Sequence, residues 1–457
     1  MKQITAGQIA DWCGGQLLCG DAQAVVTSVC LDSRQVQVGS LFVALPGERV
    51  DGHDYIENAV QQGASCVISQ KEIRVDGCAV ILVEHSLKAL QDAARGYRKS
   101  MDFHCVAVTG SVGKTTTKEF LYAVLSSTYP TLKTRGNLNS DSGMPLMAFE
   151  LMPEHKAAVF EMGMNHKGEI AALTKVGRPD LAVITNIGVS HIEHLGSRHN
   201  ILYAKLEIER GLAKNGVMIL NGDDELLASM EGKLNHKTVY FAIDNPNASY
   251  RAQNIHRGDG WTEFDAVTPV GTCRARINTV GRHNVLNAMA AVTVGLYSGI
   301  SLADSVEALL NFEQADMRQN IYEYKGLTVF EDCYNASPDS MKAAFDTLSH
   351  AKGRRVAVIA DMLELGKFSQ RMHETVGGYA AGGCDRLITY GEQSRYYRSA
   401  AQAAGMKEDC IYAADDATQA GRILLDIVEV GDTILFKGSR GLHTEQVLEI
   451  LKEEWKG

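Results

Sequence analysis

The stretch VAVTGSVGKTTTKEF, residues 106–120, limits what this chain can fold into more than any other. A run of β-branched and small apolar residues meets a turn holding two glycines, and helix-compatible residues follow. That order reads as buried strand, tight turn and helix, the opening unit of a parallel α/β sheet. Gly110 and Gly113 let the backbone turn and bring its N–H groups near anionic oxygens at a helix N-terminus. Lys114 offers a charge to the β and γ oxygens of a nucleotide, and the Thr115 hydroxyl is placed for Mg²⁺. Ser111, Val112 and Thr116 complete the loop. The usual pattern, G-x-x-x-x-G-K-[ST], asks for glycine at 108, where this chain has Val108. The chemistry needs the glycines at the turn and before the lysine, so the loop is expected to bind a nucleotide without that one. A bare G-K-T turn is equally consistent with a solvated lysine; the flanking strand and helix decide for the nucleotide.

The same buried run ending in a polar or glycine-bearing turn recurs in KAAVFEMG, DLAVITNIG and GVMILNGDD, and again in LTVFEDCYN, RRVAVIADMLELG, RLITYG and DTILFKGSRG. Shorter strands and helices precede it. A chain of 457 residues exceeds what one core holds. The expected fold class is α/β in three domains: a small unit over 1–84, a central doubly wound P-loop domain over 85–313 with a mainly parallel sheet, and a Rossmann-like C-terminal domain over 314–457. Ligands of such sheets sit beyond the carboxyl ends of the strands.

A net charge of −10 gives no electrostatic reason to bind nucleic acid or an anionic membrane. No window has the length and apolarity of a signal peptide or a membrane span, so a soluble, cytoplasmic protein is expected. Ten cysteines without a C-x-x-C pair point to buried free thiols in a reducing compartment rather than to zinc or disulfides.

Glu161, at a strand end in VFEMGMNHKGEI, is where a P-loop enzyme keeps a Mg²⁺ carboxylate, although by itself it reads equally as a helix-capping glutamate. His191 in TNIGVSHIEHLGS and Lys205 in LYAKLEIERGL would each pass alone for a structural histidine and a solvated lysine.

Taken in order, TGSVGKTTT, EMGMNHKGEI, NIGVSHIEHLGS, AKLEI, GRHNVLNAMAA, DCYNASPDSM and KGSRG resemble the Mur ligase family over essentially the whole chain. The family's loop is T-G-x-x-G-K-T-T, so Val108 is a mark of this class. The resemblance implies a cytoplasmic, monomeric amide ligase using ATP and two Mg²⁺ ions. It implies Thr115 and Glu161 on one Mg²⁺, Lys114 on the phosphates, and His191 with a carbamylated Lys205 on the second. Asn284 and Asn287 would meet adenine, Arg318 and Asp332 the γ phosphate and ribose, and Lys437 the phosphate or the incoming amine. The N-terminal LDSRQVQVGSLFVALPGERVDGHDYIENAVQQGA resembles the family's UDP-binding domain, implying UDP-sugar contacts from Ser33, Arg34, Leu45, Pro46 and Gly47. Asn137 and Asn139 resemble a central substrate loop. YNASPDSM, with Asn335, resembles the branch that couples D-alanyl-D-alanine to UDP-N-acetylmuramoyl-tripeptide, apart from Ser337 where asparagine is usual, and DMRQN fits the arginine-bearing interdomain segment only loosely. Three ligand sites on three domains imply that catalysis needs domain closure. Alternatives are a sibling ligase adding a single amino acid, a folylpolyglutamate synthase-like ligase, a P-loop kinase or GTPase, and a nucleotide-gated scaffold. The last two leave GRHNVLNAMAA and DCYNASPDSM without a purpose.

Overall fold

The structure, a computed structural model, describes residues 1–47 and 49–457. Three sheets of five or more strands follow one another along the chain, beside a two-stranded pairing of Ile4–Thr5 with Val25–Val26. The first holds Gln16–Cys19, Ala79–Leu82, Ala64–Ser69, Ser40–Val43 and Ser28–Cys30, parallel except for its first strand. The third runs Asn320–Tyr324, Leu327–Asp332, Thr433–Lys437, Arg355–Ala360, Arg386–Tyr390 and Ile411–Ala414, with only the first pair antiparallel.

The central sheet has nine strands, with His104–Thr109 between Leu181–Ile184 and Ala157–Glu161. It is parallel from Thr131–Lys133 as far as Tyr250–Arg257 and then ends in the antiparallel strands Thr262–Thr268 and Gly271–Ile277. Covered on both faces, the strand His104–Thr109 shows a period of two. Val106 and Val108 pack with Phe120, Val124, Val285 and Val292 from the helices Lys114–Ser126 and Arg282–Tyr297. Cys105 and Ala107 pack on the other side with Met144, Met147, Ile170 and Leu173.

This arrangement explains the missing glycine. Val108 is still strand, paired between Glu161 and Val183 and fully buried. The turn begins one residue beyond Thr109, and a valine side chain here contributes about 2 kcal/mol of burial that glycine would not.

The helix Ser86–Lys99 buries Ala89, Leu90, Ala93, Ala94 and Tyr97 on one stripe, the spacing of an amphipathic helix. Tyr97 stands between the first two sheets: its hydroxyl accepts from Lys2 N–H at 2.6 Å and donates to the Leu151 carbonyl at 2.7 Å. Its ring meets Phe149 with centroids 5.3 Å apart. Toward the third sheet, Phe312 stacks on Phe120 at 3.8 Å and anchors the connecting segment to the helix that follows the glycine turn. All ten cysteines are free thiols, and no described helix is long and apolar enough to cross a membrane.

Candidate active site

The carboxyl ends of the central strands face those of the third sheet across a cavity of about 600 Å³. Ser111 to Thr116 line one wall; Arg318, Asp332, Tyr334, Asn335 and Lys437 line the other. A Cβ on Gly110 would lie 1.8 Å from the Thr185 hydroxyl, so no other residue fits that close approach. Gly113 caps the helix at φ 82. The Ser111 and Val112 N–H groups both donate to Asn186 Oδ1, at 3.1 and 3.0 Å. Those of Lys114, Thr115 and Thr116, in the first helical turn, have no acceptor within their helix and are left for an anion. Lys114 Nζ bends back onto the Gly110 and Ser111 carbonyls at 2.9 and 3.4 Å. Burial pulls its pKa down; Glu161 opposes the shift and Arg318 adds to it. The Arg318 charge is thus felt at the loop from across the cavity.

Glu161 is 1% exposed. Its Oε1 accepts from the Thr115 hydroxyl at 3.2 Å and from Asn139 Nδ2 at 2.7 Å, while the buried Oε2 has no hydrogen-bond partner. The nearest cation, Lys118 Nζ, is 4.0 Å from Oε2 and committed to Glu119 at 3.0 Å and the Thr134 carbonyl at 2.9 Å. A buried carboxylate oxygen without a partner beside a hydroxyl is a hard-oxygen donor set of the kind Mg²⁺ takes. The residues fit that ion.

His191 lines the cavity at φ 61, a left-handed backbone that costs a non-glycine residue about 1 kcal/mol. Its Nδ1 stands 2.7 Å from Glu364 Oε2 of the third unit. The approach of the His191 ring as a hydrogen-bond donor holds the Glu364 carboxyl below the usual carboxylate range, against the opposing effect of burial. Lys205 is not in the wall. It is 2% exposed, makes no ion pair among the described residues, and has its pKa driven well down by burial first and by the Lys114 charge second. It therefore lies buried outside the wall, with its equilibrium shifted toward the neutral amine.

Several expected nucleotide contacts change character. Asn284 is fully buried and outside the wall, and its amide donates to Thr279 Oγ1, the Val280 carbonyl and Gln319 Oε1. Its oxygen accepts from Asn287 Nδ2 at 3.3 Å, so the amide is engaged on both sides. Asn287 does line the cavity but accepts from the Thr117 hydroxyl at 3.0 Å. Lys437 is no free charge either: buried, it donates to Asp332 Oδ2 at 2.5 Å and to the Asn335 carbonyl at 3.0 Å. Asp332 Oδ1 accepts from Gln319 N–H at 3.3 Å, and Gln319 Oε1 also meets His283 Nε2 at 2.8 Å. A continuous chain of polar contacts therefore joins Thr117 on the loop's helix to Lys437 on the third sheet. Arg318 lies over the Tyr334 ring at 3.9 Å, facing the cavity.

Sequence reading passed over Asn186, Gln319, Lys118 and Glu364. Asn186 was within reach, since it follows the strand end in TNIGVSH; the others depend on contacts across domains or one helical turn past the motif. Of the asparagine pair, Asn139 joins Glu161, whereas Asn137 lies exposed outside. Ser33, Arg34, Leu45, Pro46 and Gly47 do not line the cavity. Ser33 is buried at the start of a short helical turn, the Arg34 side chain is 86% exposed and pairs with Asp32 at 2.7 Å, and Pro46 and Gly47 are exposed.

Three family models match in succession: "Mur ligase family, catalytic domain" over residues 25–98, "Mur ligase middle domain" over 108–295 and "Mur ligase, glutamate ligase domain" over 317–440. The UDP-N-acetylmuramoyl-tripeptide--D-alanyl-D-alanine ligase of Bacillus subtilis (strain 168) is 37% identical over 439 residues, covering 94% of each chain. Among solved structures, MurF from Acinetobacter baumannii superposes with a TM-score of 0.92 at 34% identity, over 99% of this chain and 100% of that one. MurF ligase from Thermotoga maritima in complex with ADP gives 0.85 at 29% identity, over 94% and 98%.

Proposed function

The chain belongs to the Mur ligase family, and from that premise we propose that it is an ATP-dependent, ADP-forming ligase joining D-alanyl-D-alanine to UDP-N-acetylmuramoyl-tripeptide. The product is the UDP-MurNAc-pentapeptide precursor of peptidoglycan. One observation carries the chemistry: the unpartnered oxygen of Glu161 shares a cavity with Lys114 and Arg318, between a phosphate loop and the strand ends of the third sheet.

A carboxylate does not acylate an amine at neutral pH, because the oxygen that must leave is a poor leaving group. ATP solves this. A carboxylate oxygen of the tripeptide attacks the γ phosphorus, the bond to ADP breaks, and an acyl phosphate forms. The dipeptide amine then attacks the acyl carbon, phosphate departs with its bonding electrons, and the nitrogen loses a proton. Phosphoryl transfer of this kind depends on alignment and charge neutralisation. Lys114 leaves its loop carbonyls for the β and γ oxygens, the first-turn N–H groups hold the phosphate chain, and Arg318, braced by Tyr334, faces the γ phosphate. Asp332 takes the ribose while Lys437 holds it in place.

Thr115 and Glu161 would hold one Mg²⁺ and His191, with a carbamylated Lys205, a second; when bound, these ions offset the charge of the phosphates that would repel the incoming carboxylate. Burial shifts Lys205 toward the neutral amine, the form that adds to CO₂: nitrogen bonds carbon, a proton leaves, and a carbamate with two oxygens results. That change makes a buried amine into an oxygen donor. The N-terminal face around Arg34 would take the UDP-sugar, in a cytoplasmic monomer of units 1–84, 85–313 and 314–457.

The test is phosphate release from ATP with UDP-MurNAc-tripeptide and either D-alanyl-D-alanine or a single amino acid. Release with the dipeptide alone is expected. Release with the amino acid instead moves the chain to a sibling ligase, and release with neither ends this reading.

A further inference from the structure

The segment Asn186–Ser197 leaves the central sheet and meets the third unit at three points. Asp339 Oδ2 accepts the Val189 N–H at 3.2 Å, and a Cβ on Gly188 would lie 2.0 Å from that same oxygen. The Glu193 N–H approaches the Glu364 carbonyl at 3.4 Å. Between these contacts, His191 Nδ1 stands 2.7 Å from Glu364 Oε2, with the carboxylate off the axis of the ring N–H. Among the described residues no other group partners Nδ1, and Nε2 has no hydrogen bond at all. Both residues hold φ 61. Two left-handed side-chain-bearing residues facing each other across a domain boundary are maintained only where the surroundings over-determine them.

We propose that Glu364 is a positioning residue for His191. A small rotation of the ring aligns Nδ1–H with the carboxylate, which fixes the tautomer and leaves the Nε2 lone pair for the cavity. Because Glu364 belongs to the third unit and His191 to the central one, the histidine is set only while the two are docked. Docking thereby readies the metal-binding side of the site before any chemistry occurs. The inference rests on the reading of His191 as a metal ligand.

The experiment titrates Mn²⁺ into the full chain with a non-hydrolysable ATP analogue, reading free Mn²⁺ by electron paramagnetic resonance. Glu364→Ala is expected to weaken Mn²⁺ binding about tenfold, the usual effect of losing an outer partner of a ligating histidine. Glu364→Gln, which retains an oxygen acceptor, should recover most of the affinity. Asp339→Ala removes a docking contact without touching His191 and should bind close to wild type. Wild-type affinity in Glu364→Ala overturns the proposal. So does equal weakening by Asp339→Ala, which would make Glu364 one docking contact among several. Unchanged binding in His191→Ala overturns the metal assignment itself, and this inference with it. A thermal melt of each variant separates lost folding from lost positioning, and Glu364→Gln keeps the question open to measurement if Glu364→Ala does not fold.

Discussion

In the central cavity, charges are buried and engaged: Lys437 on Asp332, and Glu161 against Thr115 and Asn139. On the N-terminal face the same residue types sit in water, with Arg34 86% exposed and, among the described residues, paired with Asp32, two residues back in the chain. The Coulomb interaction of one charge with another is several-fold larger where water is excluded than where it screens. A charge in the cavity is therefore positioned to change a barrier, whereas a charge on the face adds contact affinity that salt weakens. Burial, more than residue type, separates the two regions.

That contrast gives a graded set of outcomes. Lys114→Ala should lower kcat about 10³-fold, since it removes a preorganised charge from the transferring phosphoryl group. A loss confined to KM would erase the distinction between cavity and face. Lys205→Ala should lower kcat about 10²-fold, with partial return on adding formate or chloride, as expected if a carbamate rather than an ammonium is the active form. Arg34→Ala should raise KM for the UDP-sugar substrate about fivefold at unchanged kcat, the mark of binding shared equally by ground and transition states, and the effect should shrink in high salt.

The smallest effect sharpens the comparison by asking whether burial of a carboxylate is enough to make a site. Asp361, at the end of Arg355–Ala360, also has an oxygen without a hydrogen-bond partner, and burial pushes its pKa up to about 6. Between the unfolded value near 4 and about 6 the folded chain binds more protons than the unfolded one. This contribution to stability is therefore fully present below pH 4 and lost as pH rises through 6. Asp361→Asn should raise the Tm at pH 7, with the gain vanishing below pH 4, and leave phosphate release largely unchanged; a fall in activity like that of Lys114→Ala would make Asp361 part of the chemistry.

What could be read from the sequence was what a short segment decides by itself. The loop at 110–116 and the carboxylate Glu161 at the next strand end follow from local patterns, because a buried strand, a glycine turn and a helix start place their own residues. The α/β class with mainly parallel sheets followed in the same way. The engagement of Asn284 by Thr279, Val280, Gln319 and Asn287 could not be read, because it forms only where the helix Arg282–Tyr297 meets the third unit. The pairing of Lys437 was hidden for the same reason: its partner Asp332 lies on a neighbouring strand more than a hundred residues earlier. Glu364 gave no signal because its meaning comes only from His191 opposite. The antiparallel edge over 250–277 was likewise unread, its alternating strands lying outside the repeated run-and-turn pattern.

The central claim is that the carboxylate is activated as an acyl phosphate in this cavity. Supplying UDP-MurNAc-tripeptide labelled with ¹⁸O in its terminal carboxylate, together with ATP and D-alanyl-D-alanine, and weighing the released phosphate by mass spectrometry tests it directly. The account predicts one ¹⁸O in each phosphate, carried over when the acyl carbon–oxygen bond breaks. Phosphate released without label while the amide bond forms would contradict it.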